Sequence, residues 1–273
     1  MYLLFDIGGT KMRMALSFDK ENLQEVEVVA TPTRFEDALA IIEKYSADAD
    51  SNRLDKIVCC GLPGVLSKDK DMLISAPNLA DWVMKPVKKA ISEAANARVY
   101  LENDADLAGL GEAIKGAGRG NSIVAYMTIG TGVGGVRIVN GEIDKSAFGF
   151  EPGHQIIDLN NRPIELEQLI SGSSIKLKYG MDPERIKDEN IWQEIEKMIA
   201  IGLNNTILHW SPDIVVLGGG IMKVEMISIE RIKENLKEIL KVFPVHPEIK
   251  RSELGELAGI HGSLVYLNNL RPV

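Results

Sequence analysis

A unit of strand, glycine-rich turn and strand occurs twice in this chain of 273 residues, and it constrains the fold more than any other feature. The copies cover Asp6–Leu16 and Thr128–Ile138 and start 122 residues apart, at positions 6 and 128. Each copy places glycines beside a threonine, between two runs of apolar residues. A repeat near half the chain length is typical of an internal duplication, so we predict two similar halves.

Apolar strands and helical segments alternate along the chain, which indicates an α/β protein. Predicted strands cover residues 2–7, 12–16, 25–30, 56–61, 98–102, 122–129, 136–139 and 213–217. Predicted helices cover residues 35–45, 81–97, 103–115, 164–178, 188–209, 225–241 and 256–270. Thr33 is predicted to cap the first helix, and Asn140-Gly141 predicts a type I′ hairpin.

The two glycine turns have the composition of an anion-binding loop. Glycine removes the side chain that blocks a ligand and permits positive φ, so several backbone N–H groups can converge on one anion. Lys11 adds a positive charge beside the first turn, and Asp6 is placed to hold Mg²⁺ through water. Two such turns facing each other would hold a polyphosphate from both sides. The alternative is that both are simple tight hairpins.

The second turn also contains the spacing Gly130-x-Gly132-x-x-Gly135, which matches the dinucleotide fingerprint. That fingerprint requires a helix directly after the turn, so that the helix N-terminus meets the pyrophosphate. Here a strand and an Asn-Gly hairpin follow, which excludes the Rossmann interpretation. The P-loop pattern is absent from the sequence.

The formal net charge is −8, because 31 Lys and Arg residues face 39 Asp and Glu residues. This charge argues against a broad nucleic-acid or anionic-membrane surface. The apolar run at the start is too short for a signal peptide, and no stretch approaches the ~20 apolar residues of a membrane span. The two cysteines, Cys59 and Cys60, are adjacent and cannot build a disulfide framework. We therefore expect a cytoplasmic protein with no nucleic-acid or membrane partner.

Seven short motifs follow one another along the chain. They are Asp6–Lys11, Gly61–Gly64, Ala76–Trp82, Glu102–Ala105, Thr128–Gly135, Glu151–His154 and Val215–Gly220. Each motif is weak alone, but together and in this order they resemble the ROK sugar kinases of the actin/hexokinase-like ATPase superfamily. The resemblance covers nearly the whole chain.

The resemblance implies a two-lobed, actin-like or RNase H-like ATPase fold. Each lobe would be a mixed sheet flanked by helices, with a cleft between the lobes. Residues 1–115, together with a C-terminal helix over about 256–273, would form the smaller lobe, and residues 116–255 the larger one.

The implied activity is Mg²⁺- and ATP-dependent phosphorylation of a hexose hydroxyl by a homodimer. The default assignment is the 6-OH of glucose, with fructose, mannose, allose and N-acetylmannosamine as other candidates. One alternative is a sugar or nucleotide sensor whose catalysis has decayed. Another is an actin-like ATPase with a macromolecular partner, although the sugar-side motifs argue against it.

The resemblance also implies roles for individual residues. Asp104 would be the catalytic base. The sugar would be held by Asn78, Asn103, Glu151, His154 and Glu167, with the loop of Pro63 and Gly64. ATP would be bound by Asp6, Gly8, Gly9, Thr10, Lys11, Gly130, Thr131, Gly132, Gly134, Gly218, Gly219 and Gly220, with Mg²⁺ on Asp6.

Asp104 has a second interpretation that does not depend on the family. Aspartate is common as a helix N-cap, and a helix is predicted to start here. Phosphoryl transfer, in contrast, needs one group that accepts the hydroxyl proton, and a carboxylate suits that step. The motif around Asp104 favours the catalytic role.

The chain departs from the family at a zinc site. Many ROK members bind zinc with the histidine of the Glu-x-Gly-His motif and three cysteines of a following loop. The segment after His154 contains no cysteine, and Cys59 and Cys60 lie in an apolar strand where core packing is expected. We predict no structural zinc, which leaves open what orients His154.

Overall fold

The computed structural model describes residues 1–48, 56–158 and 162–270. Its contacts divide the chain into two compact units. The first unit comprises Met1–Gly111, Lys145–Gly149 and Leu257–Val273, and the second comprises Glu112–Asp144 and Phe150–Glu256.

The first unit contains a five-stranded sheet in the order β3-β2-β1-β4-β7, with a small hairpin of β5 and β6. The β1–β2 and β2–β3 pairs are antiparallel, whereas β1–β4 and β4–β7 are parallel. The strands are β1 (Tyr2–Ile7), β2 (Lys11–Ser17), β3 (Glu27–Ala30), β4 (Ile57–Leu62), β5 (Val65–Leu66), β6 (Leu73–Ser75) and β7 (Arg98–Asn103).

The second unit repeats this arrangement in the order β10-β9-β8-β13-β14, with a small ladder of β11 and β12. Again two antiparallel pairs lie on one side of a central strand and parallel strands on the other. The strands are β8 (Ile123–Ile129), β9 (Val133–Val139), β10 (Glu142–Ile143), β11 (Ile156–Asp158), β12 (Ile164–Glu165), β13 (Ile214–Gly218) and β14 (Glu248–Arg251). Each glycine turn therefore joins the central strand of its sheet, β1 or β8, to the antiparallel neighbour of that strand.

The α-helices of the described residues lie between or after these strands along the chain. They are α1 (Phe35–Asp48), α2 (Val87–Ala95), α3 (Asp104–Lys115), α4 (Leu166–Ile170), α5 (Gly172–Tyr179), α6 (Glu189–Trp210), α7 (Ile229–Ile239) and α8 (Ala258–Asn269).

Both faces of the first sheet are covered, because its strands alternate between two apolar clusters. Leu3 and Phe5 of β1 pack in the cluster that includes residues of α1 and α2. Leu4 packs on the opposite face with Ile260 and Leu264 of α8. In the second unit, one large core joins α6 and α7 to β8 and β13.

Cys59 and Cys60 occupy adjacent positions in β4 and are fully buried, one in each cluster of the first unit. Burial raises the pKa of Cys59 to about 12 and that of Cys60 well above its usual value. The predicted core role of both cysteines is confirmed.

Two predicted helices differ from the observed ones. Residues 81–97 form an α-helix only from Val87, because Pro86 lacks an N–H and excludes the residue before it from the helical region. Residues 164–178 are divided into α4 and α5 by Ser171, which is extended (ψ 152°) and caps α5 through the Ser174 N–H. The Asn140-Gly141 turn is confirmed, since both residues have the positive φ of a type I′ turn.

Candidate functional site

The first glycine turn joins β1 to β2 and is closed by a 2.9 Å hydrogen bond from the Gly8 N–H to the Lys11 carbonyl. The turn is also stabilised by Thr31, whose hydroxyl donates to the Gly8 carbonyl at 2.7 Å. A Cβ on Gly9 would lie only 2.7 Å from the Cβ of Asn78. The fold thus brings the predicted phosphate turn against the predicted sugar residue Asn78.

Asp6 precedes this turn in β1 and is largely buried. Burial raises the pKa of its carboxyl to about 6, and Arg13, whose Nη1 lies 3.5 Å from Oδ2, opposes that shift. A Cβ on Gly259 of α8 would lie 2.8 Å from the Asp6 Cγ. The carboxylate is therefore enclosed and only partly neutralised by the protein.

The expectation that the glycine turns use positive φ is wrong. Gly8, Gly9, Gly130 and Gly132 all have φ outside the left-handed region, so positive φ is not what these turns require. Close approach of neighbouring side chains is the physical reason at Gly9 and at Gly132.

The cap of α3 is supplied by Asn103, the last residue of β7. Its Oδ1 accepts from the N–H groups of Ala105 (2.8 Å) and Asp106 (3.2 Å). The Ala105 N–H also lies 2.8 Å from Oδ1 of Asp104, the first residue of the helix. The capping position therefore belongs to Asn103, and Asp104 follows it at the carboxyl end of a parallel strand.

The Pro63–Gly64 loop lies beside Asn103. Gly64 has φ +93°, and a Cβ there would lie 2.2 Å from the Ser75 carbonyl oxygen, so glycine is required. The Gly64 carbonyl accepts a 2.9 Å hydrogen bond from the Asn103 Nδ2. Asn103 is thus fixed by three hydrogen bonds and keeps one amide N–H for another partner.

The second glycine turn joins β8 to β9 in the second unit. The Gly172 N–H, at the start of α5, donates to the Gly130 carbonyl at 2.7 Å. The Val133 N–H donates to Oε2 of Glu167 at 2.6 Å, and a Cβ on Gly132 would lie 2.6 Å from the same oxygen. The predicted sugar residue Glu167 therefore contacts the predicted phosphate turn with one of its two oxygens.

The segment Gly218–Gly220 lies next to this turn. Gly219 has φ +91°, and a Cβ there would lie 2.3 Å from the Ile129 carbonyl oxygen. The Cβ position of Gly130 lies 3.9 Å from the Gly220 N. The turn and this segment, separated by almost 90 residues of chain, form one glycine-lined surface with exposed Thr131.

Two further predicted glycines lie inside the second sheet. Gly134 of β9 and Gly218 of β13 both pair with Thr128, on either side of it. A Cβ on Gly218 would lie 2.4 Å from the Tyr126 hydroxyl oxygen. These positions flank the strand that leads into the turn.

Glu151, His154 and Glu167 form an electrostatically linked group in the second unit. Burial raises the pKa of Glu151; His154 opposes this shift and Glu167 adds to it. The pKa of His154 is raised first by a hydrogen bond with Glu165 and then by the nearby carboxylates, against the effect of burial.

Glu165 is a residue that the sequence reasoning missed. Its Oε2 lies 2.8 Å from the Nδ1 of His154. The signal was present but weak: Glu165 lies where the family pattern resumes after the missing cysteine loop. Only the pairing of β11 with β12 places it beside the histidine.

The predicted site residues are divided between the two units. The first unit holds Asp6, Gly8–Lys11, Pro63, Gly64, Asn78, Asn103 and Asp104. The second unit holds Gly130–Gly132, Gly134, Glu151, His154, Glu167 and Gly218–Gly220. Within each unit, predicted phosphate and sugar residues are brought into contact.

The sequence model of the ROK family matches residues 2–269, which is almost the whole chain. The chain belongs to the ROK family. This result confirms the family that the motifs indicated.

Two relatives of this chain are named as sugar kinases. The N-acetyl-D-glucosamine kinase of Escherichia coli O127:H6 is 29% identical, over 96% of this chain and 98% of its own. The glucokinase of Thermotoga maritima is 25% identical, over 94% of both chains. These names agree with the predicted phosphotransferase class, and they differ from one another in the sugar.

A ROK family glucokinase from Streptomyces griseus, solved with glucose and AMPPNP, has a TM-score of 0.80 to this protein. It is 24% identical and is covered over 98% of its chain and 96% of this one. Together with the two mixed five-stranded sheets, this likeness confirms the predicted fold class.

Among the described residues, no helix has the length and apolar character needed to cross a membrane. Within residues 1–48, 56–158 and 162–270, no three His, Cys, Asp or Glu side chains are grouped so that they could hold a metal ion.

Proposed function

We propose that this ROK protein is an ATP-dependent kinase that phosphorylates a hexose hydroxyl, with the 6-OH of glucose as the default substrate. The observation that carries the proposal is the capping of α3 by Asn103, since it gives the helix a cap other than Asp104. Asp104, the first residue of α3 at the carboxyl end of β7, would supply the carboxylate that accepts the hydroxyl proton.

The glycine turns are assigned to the phosphates of ATP. In each unit the turn joins the central strand of a mixed sheet to its antiparallel neighbour, and glycine keeps the backbone of the turn clear of side chains. Exposed Lys11 and the hydroxyls of Thr10 and Thr131 add a charge and hydrogen-bonding groups. Backbone N–H groups and a lysine are the usual partners of phosphate in proteins.

Asp6 fits a magnesium ion held mainly by water and phosphate oxygens, because Mg²⁺ is often bound through only one or two protein carboxylates. The enclosed Asp6 carboxylate, whose pKa is raised by burial, gains from a nearby cation. Bound Mg²⁺ would neutralise phosphate charge, and Asp6 would orient its water shell.

The sugar is assigned to Asn78, Asn103, Glu151, His154 and Glu167, with Pro63 and Gly64 shaping the loop beside Asn103. Each sugar hydroxyl both donates and accepts, so mixed donors and acceptors suit it. Asn103 offers one remaining amide N–H, and Glu167 offers the oxygen not bound to Val133.

The test is sugar-dependent release of ADP from Mg·ATP with glucose, fructose, mannose, allose, N-acetylmannosamine and N-acetylglucosamine. We expect release with at least one sugar and only background release without sugar. Sugar binding without release would instead indicate a sensor, and release that ignores sugar would indicate an ATPase of another kind. Product analysis by NMR then identifies the phosphorylated hydroxyl.

Three further assignments stay predictions: the homodimer, which rests on the resemblance, and the cytoplasmic location and the absence of structural zinc, which rest on the cysteine content. Sedimentation tests the first and localisation of the tagged protein in cells tests the second. Stoichiometric zinc in purified, untagged protein, measured by elemental analysis, would contradict the third.

A further inference from the structure

The Glu165 carboxylate and the His154 imidazole form a pair that the family motif does not contain. His154 ends the short 3₁₀ turn Pro152–His154, and Glu165 ends β12. The pair is built by the backbone: Glu165 is opposite Ile156 in the β11–β12 ladder, and the Leu166 N–H donates to the Gln155 carbonyl at 3.0 Å. The 2.8 Å contact between Nδ1 and Oε2 follows from this ladder.

An ionised carboxylate only accepts hydrogen bonds. The Nδ1 of His154 must therefore carry a proton when it bonds to Glu165. In the neutral imidazole the other nitrogen, Nε2, is then an acceptor. The contact thus determines which hydrogen bond the free side of the ring can make.

We propose that Glu165 is a positioning residue that fixes the Nδ1–H tautomer of His154, so that Nε2 accepts a hydrogen bond from a sugar hydroxyl. The sugar part of this inference rests on the proposed function. The carboxylate would orient the ring as zinc is expected to do in other ROK members.

Three carboxylates, of Glu151, Glu165 and Glu167, act on His154 electrostatically. All three favour the charged imidazolium, which extends the protonated form to higher pH. The protonated ring donates from both nitrogens, so Nε2 changes from donor to acceptor as the pH rises. Glu165 bonds to Nδ1 in both forms.

The pair contributes little to the fold. The His154 and Glu165 side chains are 56% and 34% exposed, and exposed ion pairs have small effects on stability. Glu165 is also the N-cap of α4, in a capping box with Gln168, so Glu165→Ala should cost about 1 kcal/mol and lower Tm by about 2–4 °C. Its effect on the histidine can be measured in folded protein.

The tautomer is read directly by ¹⁵N NMR of the imidazole nitrogens. His154→Gln assigns the signal among the four histidines of the chain. We expect the wild type to show neutral His154 with the proton on Nδ1, and Glu165→Ala to shift the proton toward Nε2 and lower the pKa. Glu165→Gln keeps an oxygen acceptor, so it should retain the tautomer while lowering the pKa. Exposed Glu184→Gln is the matched control and should change neither.

The kinetic arm compares the KM for sugar with the KM for ATP. Loss of a group that orients another typically costs about 10- to 100-fold, so Glu165→Ala should raise the sugar KM by roughly tenfold or more. The KM for ATP should stay within about twofold, and Glu165→Gln should recover most of the sugar affinity above the pKa of the histidine.

The NMR experiment and the kinetic experiment test different parts of the proposal. The same tautomer and pKa in wild type and Glu165→Ala would overturn the pairing itself. A changed tautomer with an unchanged sugar KM would overturn the role in sugar binding. Wild type without sugar-dependent ADP release would overturn the proposed function, and the NMR arm would still report on the pair.

Discussion

Asp6 is a carboxylate that folding removes from water and only partly neutralises. Its pKa is raised from 3.8 to about 6 by burial, with Arg13 acting against the shift. A raised pKa means that the native state holds the proton more tightly than the unfolded state. The stabilising contribution of the protonated form is complete below pH ~4 and is lost as the pH rises through ~6.

Asp6→Asn should remove this pH dependence, because asparagine resembles the protonated carboxyl at every pH. Two pKa units correspond to about 2–3 kcal/mol, so the variant should gain about that much relative to wild type between pH 4 and pH 7. Urea unfolding of both proteins at several pH values measures the difference. A difference that stays constant across this range would show that Asp6 is not the titrating group.

Asp104→Ala should lower turnover by roughly 10²–10⁴, which is the usual contribution of a general base. Because Asn103 caps the helix, AMPPNP affinity and Tm should change little. Asn103→Ala is the comparison variant: it should lower stability by about 1 kcal/mol, because a cap is lost, and it should also weaken sugar binding, because Asn103 is assigned to the sugar. Turnover of Asp104→Ala within a few-fold of wild type would remove Asp104 from the base role.

At the residue scale, sequence reasoning could place candidates but not their partners. Asn103 and Asp104 are adjacent and both suit a cap, so only the hydrogen bonds distinguish them. Glu165 was missed because its contact to His154 depends on a two-stranded ladder with little apolar periodicity. Polar contacts between short strands leave almost no pattern in a sequence.

At the element scale, Gly219 directly follows β13, and the Ile129 backbone beside it leaves no room for a side chain. Gly219→Ala adds a Cβ within 2.3–2.6 Å of the Ile129 backbone, at φ +91°. We expect a loss of about 3 kcal/mol or more from strain and overlap. Gly220→Ala is the matched control, since nothing lies within 4 Å of its Cβ position. Equal urea midpoints for the two variants would contradict the packing argument.

Element boundaries were harder to predict than the elements themselves. The cap on α1 is an example: the Phe35 N–H donates to Asp81 at 2.8 Å, across 46 residues of sequence, so the assignment of a local cap to Thr33 is wrong. β14 was missed because only Ile249 of its four residues is buried. An edge strand with one apolar residue lacks the alternation that marks a strand.

At the scale of the whole molecule, the repeated glycine hairpin predicted the repeated sheet. β1 and β8 are the central strands of two sheets with the same order and the same pattern of parallel and antiparallel pairs. This could be inferred because the hairpin is local and leaves a clear pattern. The return of α8 to the first sheet was available only from the family resemblance, since no local pattern indicates which sheet a terminal helix covers.

Leu264→Ala tests how α8 completes the first unit. Leu264 is fully buried with Leu4 and Cys59, so truncation should cost about 2–5 kcal/mol. Thiol labelling should accelerate at Cys59 more than at Cys60, which packs on the opposite face. Leu177→Ala, at a position 88% exposed, is the control and should be near neutral. Equal acceleration at both cysteines would indicate global unfolding instead.

The position of α8 has a consequence for how the chain is made. A ribosome synthesises β1–β7 long before α8, so the sheet face around Leu4 stays uncovered until α8 has been made. The second unit is nearly continuous in sequence, so all of its residues have been synthesised before α8 begins. Nascent chains should therefore acquire protease resistance in the second unit before the first, so that the half synthesised first is the half that matures last.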